Sequence, residues 1–149
     1  MLLTCLGDGH DGIWKIISQF NLGKNRREIL DWYHLIENLY KVGGSLKRLA
    51  KAKDILWKGQ SGRTIDLFKL SLKKIAPDFC NYLEKHRSRI VNYEQLLKQQ
   101  ICSIGSGAVE STVKQIDRRL KISGTQWLKK NVNQMLKFRC ADLNDLLAI

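Results

Sequence analysis

The sequence predicts a mostly helical α/β protein, and three observations carry that reading. Met1 to Leu6 is a short apolar run that ends at Gly7-Asp8-Gly9, as a buried strand does when it enters a tight turn. Glu28-Ile29-Leu30-Asp31 reads as a second strand after one short amphipathic helix, which makes a βαβ unit with parallel strands and a right-handed crossover. From Ser45 onward the apolar residues recur at helical spacing throughout. A buried central strand at the first residue is expected to belong to a larger sheet, so the chain is expected to be the C-terminal part of a longer fold.

In order, Ile13, Ile17 and Phe20, with Trp14 and Ile16 beside them, predict the first helix, ended by Asn21-Leu22-Gly23. Trp32 to Tyr40 reads as a second helix with His34 in its first turn, broken by Gly43-Gly44. Leu46, Leu49, Ala50 and Trp57 mark a third, stopped near Gly59 to Gly62. Ile65, Phe68, Leu72 and Ile75 mark the next, closed by Pro77. Phe79, Leu83, Ile90 and Leu97 predict one long helix, a lever between two parts of the molecule. Ile101 to Gly107 is a loop, and Val109, Val113, Ile116 and Leu120 form one apolar stripe after it. Ser123-Gly124 is a break, and Trp127, Val132, Met135 and Leu136 predict a last helix that ends before Ala141 to Asp145. No internal repeat or low-complexity tract interrupts this order.

The chain has 149 residues, 44% of them hydrophobic, which suits one ordinary folded domain. Cys5, Cys80, Cys102 and Cys140 are scattered without a C-x-x-C pair, so reduced, buried thiols are expected rather than a zinc ribbon or a disulfide framework. No apolar run reaches membrane-spanning length and no basic n-region opens the chain, so a cytoplasmic, nucleoid-associated protein with no membrane partner is expected. The net charge is +12 and unevenly placed. Residues 1–43 carry five basic and five acidic groups, residues 44–100 thirteen and five, and residues 101–149 eight and four. The basic surface therefore belongs to the middle and end of the chain, where it suits a phosphate backbone. A ribosomal or membrane-surface role fits the total charge equally well.

The run Ile104-Gly105-Ser106-Gly107-Ala108-Val109-Glu110-Ser111-Thr112 delivers one carboxylate to the first turn of a helix. Glu110 lies just off the apolar stripe, at the expected edge of the core, with Lys114, Arg118, Arg119 and Lys121 following. A carboxylate beside basic residues suits holding a metal ion next to a phosphate; the plainer account is an acid favouring a helix N-terminus. Asp8 and Asp31 each fall at the carboxyl end of a strand, where βαβ units gather functional groups.

Taken together, Gly7-Asp8-Gly9, Asp31-Trp32-Tyr33-His34, the basic helical segment and Gly105-Ser106-Gly107-Ala108-Val109-Glu110-Ser111 resemble the DDE-type transposases of bacterial insertion sequences, most closely the ISKra group. Mutator-like enzymes share the Asp-x-x-His pattern. The similarity runs over essentially the whole chain, including Leu56-Trp57-Lys58-Gly59 and Arg118-Arg119-Leu120-Lys121-Ile122-Ser123-Gly124. The resemblance implies a ribonuclease H-like fold: a partial catalytic core in 1–43, a basic all-helical insertion in 44–100, and helices completing the core in 101–149. It implies Asp8 as the second catalytic aspartate and metal ligand, Glu110 as the catalytic glutamate and metal ligand, and Asp31 and His34 as active-site support. The implied cofactor is Mg²⁺ or Mn²⁺, two ions clamping an in-line phosphoryl displacement. The implied partners are DNA, as transposon ends and target, and the missing N-terminal part or other transposase subunits.

The pattern's first aspartate has no counterpart here, since Asp11 follows Asp8 too closely. The chain alone is therefore expected to be inactive. Lys47, Arg48, Lys51, Lys53, Lys73, Lys74, Arg87 and Arg89 are the candidate DNA contacts, with Lys114, Arg118, Arg119 and Lys121 beside Glu110; a solvated helical face is the plainer account of each. Trp14, Trp32, Trp57 and Trp127 fall on or beside apolar stripes and suit core packing before base stacking. His34 suits a packed or hydrogen-bonded role before a metal ligand, and His10 and His86 read as surface groups. A non-catalytic basic helical module that binds DNA or regulates the enzyme is the alternative reading.

Overall fold

The computed structural model describes residues 2–20, 23–69, 75–121 and 126–144. It divides into two compact units, Met1–Ser106 and Gly107–Ile149. The first unit begins with the expected βαβ order: β1 (Leu3–Gly7), α1 (Asp11–Gln19), a single 3-10 turn at Gly23–Asn25, β2 (Arg26–Leu30) and α2 (Trp32–Lys41). The two strands are parallel, with Leu3 opposite Arg26 and Gly7 opposite Leu30. Then come α3 (Leu46–Trp57), α4 (Ser61–Lys69), α5 (Ile75–Lys85), a 3-10 turn at Arg87–Arg89 and α6 (Tyr93–Lys98). The mostly helical α/β class is thus observed.

Helical spacing explains which face each element buries. Leu35 and Leu39 on α2, and Leu49, Ala52 and Leu56 on α3, recur every three or four residues and are all nearly solvent-free. They close over Ile29 and Leu30 of β2 together with Phe68, Phe79 and Leu83. Each fully buried leucine contributes about 1.5–3 kcal/mol by its removal from water. The corner after α3 depends on Gly59, whose φ is +74°. A Cβ there would lie 2.7 Å from the backbone of Val91, so glycine alone permits this approach.

The structure corrects three expectations within the first unit. The long helix through Phe79 and Leu97 is broken after Lys85. The carbonyl of buried His86 accepts hydrogen bonds from the N–H groups of Arg89 and Ile90, at 2.8 and 3.1 Å, which tightens the chain into the 3-10 turn. Arg89 is held there by Glu28 of β2, Nε to Oε2 at 2.6 Å, and by the Trp14 ring 4.1 Å beneath its guanidinium. A new helix then starts at the Asn92 cap, whose side chain accepts from Gln95 N–H. There is no lever. Pro77 lies in the first turn of α5 rather than closing α4, because a missing N–H is harmless there; Leu72 lies outside the described residues. His86 is not a surface group but 1% exposed. Burial, with Arg89 and Lys85 nearby and Asp11 opposing them, pushes its imidazole down and keeps it neutral.

The second unit holds α7 (Gly107–Leu120) and α8 (Lys129–Leu143), with the Trp127 indole donating to the Leu120 carbonyl at 2.9 Å. The last helix runs through Ala141 to Leu143 instead of ending before them. No helix among the described residues is long and apolar enough to cross a membrane.

The Tyr93 hydroxyl, buried at the centre of the first unit, donates to the Leu30 carbonyl at 2.9 Å. Tyr93→Phe is expected to lower stability by about 1–2 kcal/mol, because it strands that carbonyl while preserving the ring's packing. Urea denaturation of the two proteins measures the difference, and equal midpoints would contradict it.

Candidate functional site at the strand ends

The parallel register sets the site. Gly7 and Leu30 are paired, and the Asp31 N–H donates to the Gly7 carbonyl at 2.7 Å, so Asp8 and Asp31 are the first residues beyond two adjacent strand ends. Asp8 begins a tight turn: its Oδ1 accepts from His10 N–H at 2.9 Å, and His10 Nδ1 in turn accepts from Gly12 N–H to cap α1. Gly9 takes a φ of +94°, and a Cβ there would meet the Tyr82 hydroxyl at 3.0 Å. Tyr82 of α5 therefore forms the floor under this turn. Burial, helped by the Asp8 and Asp31 charges, pushes its phenol up to about 12, so it stays protonated.

Asp31 is only 1% exposed, yet it is charged. Its Oδ1 accepts from the N–H groups of Tyr33 and His34 at 2.8 and 3.0 Å, capping α2, and its Oδ2 accepts from Ser106 N–H at 2.6 Å. Burial opposes the charge, but the Ser106 and His34 hydrogen bonds outweigh it and hold the carboxyl below its ordinary range. His34 Nδ1 stands 3.4 Å from Asp31 Oδ1, an electrostatic contact without hydrogen-bond alignment. The Trp32 N–H donates to the Ile104 carbonyl at 2.9 Å. Loop 101–106 is thereby fastened to the end of β2 at two points. The glycine-rich run is thus not simply flexible up to Ser106.

The other candidates distribute unevenly. Glu110 is in the first turn of α7, as the sequence predicts, but it is exposed instead of lying at the edge of a core. Val109 and Val113 of the same stripe are 65% and 57% exposed. Lys47, Arg48, Lys51 and Lys53 are exposed along α3. Arg87 is exposed and paired with Glu84 at 3.5 Å, whereas Arg89 is engaged by Glu28 and Trp14. Lys114, Arg118 and Lys121 are exposed on or just beyond α7, Lys121 pairing with Asp117 at 2.8 Å. Lys73 and Lys74 lie outside the described residues, as does the side chain of Arg119.

Mg²⁺ takes carboxylate oxygens and keeps several waters. Both Asp31 oxygens are occupied by backbone N–H groups, which leaves Asp8 as the strand-end carboxylate with an oxygen to offer. Among the described residues no group of three or more His, Cys, Asp or Glu side chains is arranged to hold a metal ion. The described residues by themselves do not fit a two-metal centre. Tyr82 and Ser106, which build this end of the unit, carry no sequence signal of that role. No family profile, characterised protein or solved structure matches this chain.

A depressed Asp31 value makes stability acid-sensitive in a stated direction. Its contribution is complete above the unfolded aspartate value of about 4 and is lost as the pH falls through the lower folded value. Asp31→Asn is expected to cost about 1–3 kcal/mol at neutral pH and to flatten the acid limb of the stability curve. Denaturation midpoints across the acid range measure this, and identical acid limbs in both proteins would contradict it.

Proposed function

We propose that this chain is the C-terminal part of a DDE-type insertion-sequence transposase of the ISKra kind, acting on DNA and incompetent for strand cleavage alone. The observation that carries the reading is the placement of Asp8 and Asp31 just beyond adjacent parallel strand ends, followed by a helical segment and then Glu110. A parallel βαβ unit with acidic residues at its carboxyl ends is what a ribonuclease H-like core requires of this part of its sequence.

In this reading Asp8 and Glu110 would be the residues of this chain that hold a divalent metal in the assembled enzyme, where it would supply Lewis-acid stabilisation to phosphoryl transfer. Asp31 is a positioning residue: it caps α2, orders the loop before Glu110 and lies against His34. The exposed lysines and arginines of α3 and α7 hold the phosphate backbone without reading its sequence. A non-catalytic basic module that binds DNA or regulates the enzyme is the second reading. The exposed basic side chains along α3, which need no metal to meet a phosphate backbone, favour it.

DNA binding is expected to fall by at least about tenfold between 50 and 200 mM salt, measured by fluorescence anisotropy on a labelled duplex. Affinity indifferent to salt would contradict a phosphate-backbone contact. The chain alone is expected to leave supercoiled DNA intact with Mg²⁺ or Mn²⁺. Metal-dependent nicking that Glu110→Gln abolishes would overturn the claim that it is incompetent alone.

A further inference from the structure

We propose that a cavity between α2 and α3 receives one unpaired nucleobase, guanine by preference, from DNA lying along α3; this rests on the DNA reading above. The cavity measures about 330 Å³ and is lined by Trp32, Lys53, Asp54 and Trp57, within the size range of small-ligand sites. Its aromatic wall is built rather than incidental. The Trp32 and Trp57 rings meet edge to face with centroids 4.8 Å apart, and Tyr93 backs both, at 4.9 and 6.2 Å. Tyr93 is pinned by its hydroxyl to the Leu30 carbonyl, and the Trp32 backbone by its N–H to the Ile104 carbonyl. Trp57 retains partial exposure while Trp32 is 6% exposed, so the slot opens to solvent on the Trp57 side.

The polar groups narrow the occupant. Lys53 precedes Trp57 by four residues on α3 and so shares its face, while Asp54 stands at the adjoining exposed face. Lys47, Lys51 and Lys58 share the Asp54 side at spacings of seven, three and four residues, a cationic strip that suits a polyanion running past the opening. An aromatic wall beside such a strip is the arrangement that stacks a base while its backbone follows the charge. The Asp54 carboxylate, at the exposed rim of that slot, prefers a base edge with two adjacent N–H donors. Guanine offers N1–H and the N2 amino group side by side. Thymine offers one N–H between two carbonyls, which repel the carboxylate.

Anisotropy titrations of the full chain test this with three labelled duplexes, one fully paired, one with a bulged guanosine and one with a bulged thymidine. The bulged guanosine is expected to bind about tenfold more tightly than the paired duplex, in keeping with the worth of one stacked base, and more tightly than the bulged thymidine. Asp54→Asn is expected to remove the guanine preference, so that the bulged guanosine and the bulged thymidine bind alike, and a preference that survives it overturns the role given to this carboxylate. Trp57→Ala is expected to remove the advantage of any bulge. Should that variant fail to fold, the wild-type comparison and Asp54→Asn still decide. Equal affinity for all three duplexes overturns the base pocket and leaves the DNA reading standing; no affinity for any of them overturns both. Guanosine 5′-monophosphate at the concentration of the DNA is expected not to displace the bulged duplex. Displacement would assign the cavity to a free nucleotide and overturn the proposal.

Discussion

The buried Asp31 carboxylate is the constraint on which this end of the molecule depends. A charge with 1% exposure is tolerable only when donors surround it. Here three backbone N–H groups do so, two from the helix that follows and one from a loop seventy-five residues away. Each donor gains from the arrangement as well. Tyr33 and His34 are first-turn groups with no helical partner, and Ser106 N–H belongs to a loop without regular structure. Remove the carboxylate and the α2 cap and the Ser106 attachment are lost together, which leaves the loop held through Ile104 alone.

β2 has the same connecting role along its whole length. Glu28 engages Arg89 at 2.6 Å and Arg26 at 3.1 Å, Leu30 accepts from Tyr93, and Asp31 receives the loop. A five-residue strand in a two-stranded sheet is weak by itself. Its side chains and carbonyls nevertheless hold α6, the 3-10 turn and loop 101–106 in register. The same network places the Trp32–Tyr93–Trp57 rings against one another, so the proposed pocket and the strand-end site share one set of supports.

The βαβ order and the position of α7 were legible because local signals agree there: apolar runs and Gly breaks. The breaking of the long helix was not, because Ile90 and Leu97 keep helical phase with Phe79. What breaks it is a pull from Glu28, sixty-one residues distant, on Arg89. Pro77 misled for the opposite reason, since a proline reads alike at the end of one helix and in the first turn of the next. Asp8 and Asp31 were legible as strand-end acids. Their different states were not: one carboxylate turns on its own loop, while the other is consumed by a partner, Ser106, that no spacing rule connects to it. Tyr82 was invisible because its role depends on Gly9 approaching its hydroxyl across the fold.

Amide hydrogen exchange at Ser106, read alongside Tyr33 and His34, tests the central claim most directly. A carboxylate that ties these three N–H groups together protects all of them in the wild-type chain, and Asp31→Ala releases all of them at once. A Ser106 amide that exchanges at the rate of an unstructured peptide in the wild type, with Tyr33 and His34 still protected, would show Asp31 to be a helix cap and nothing more.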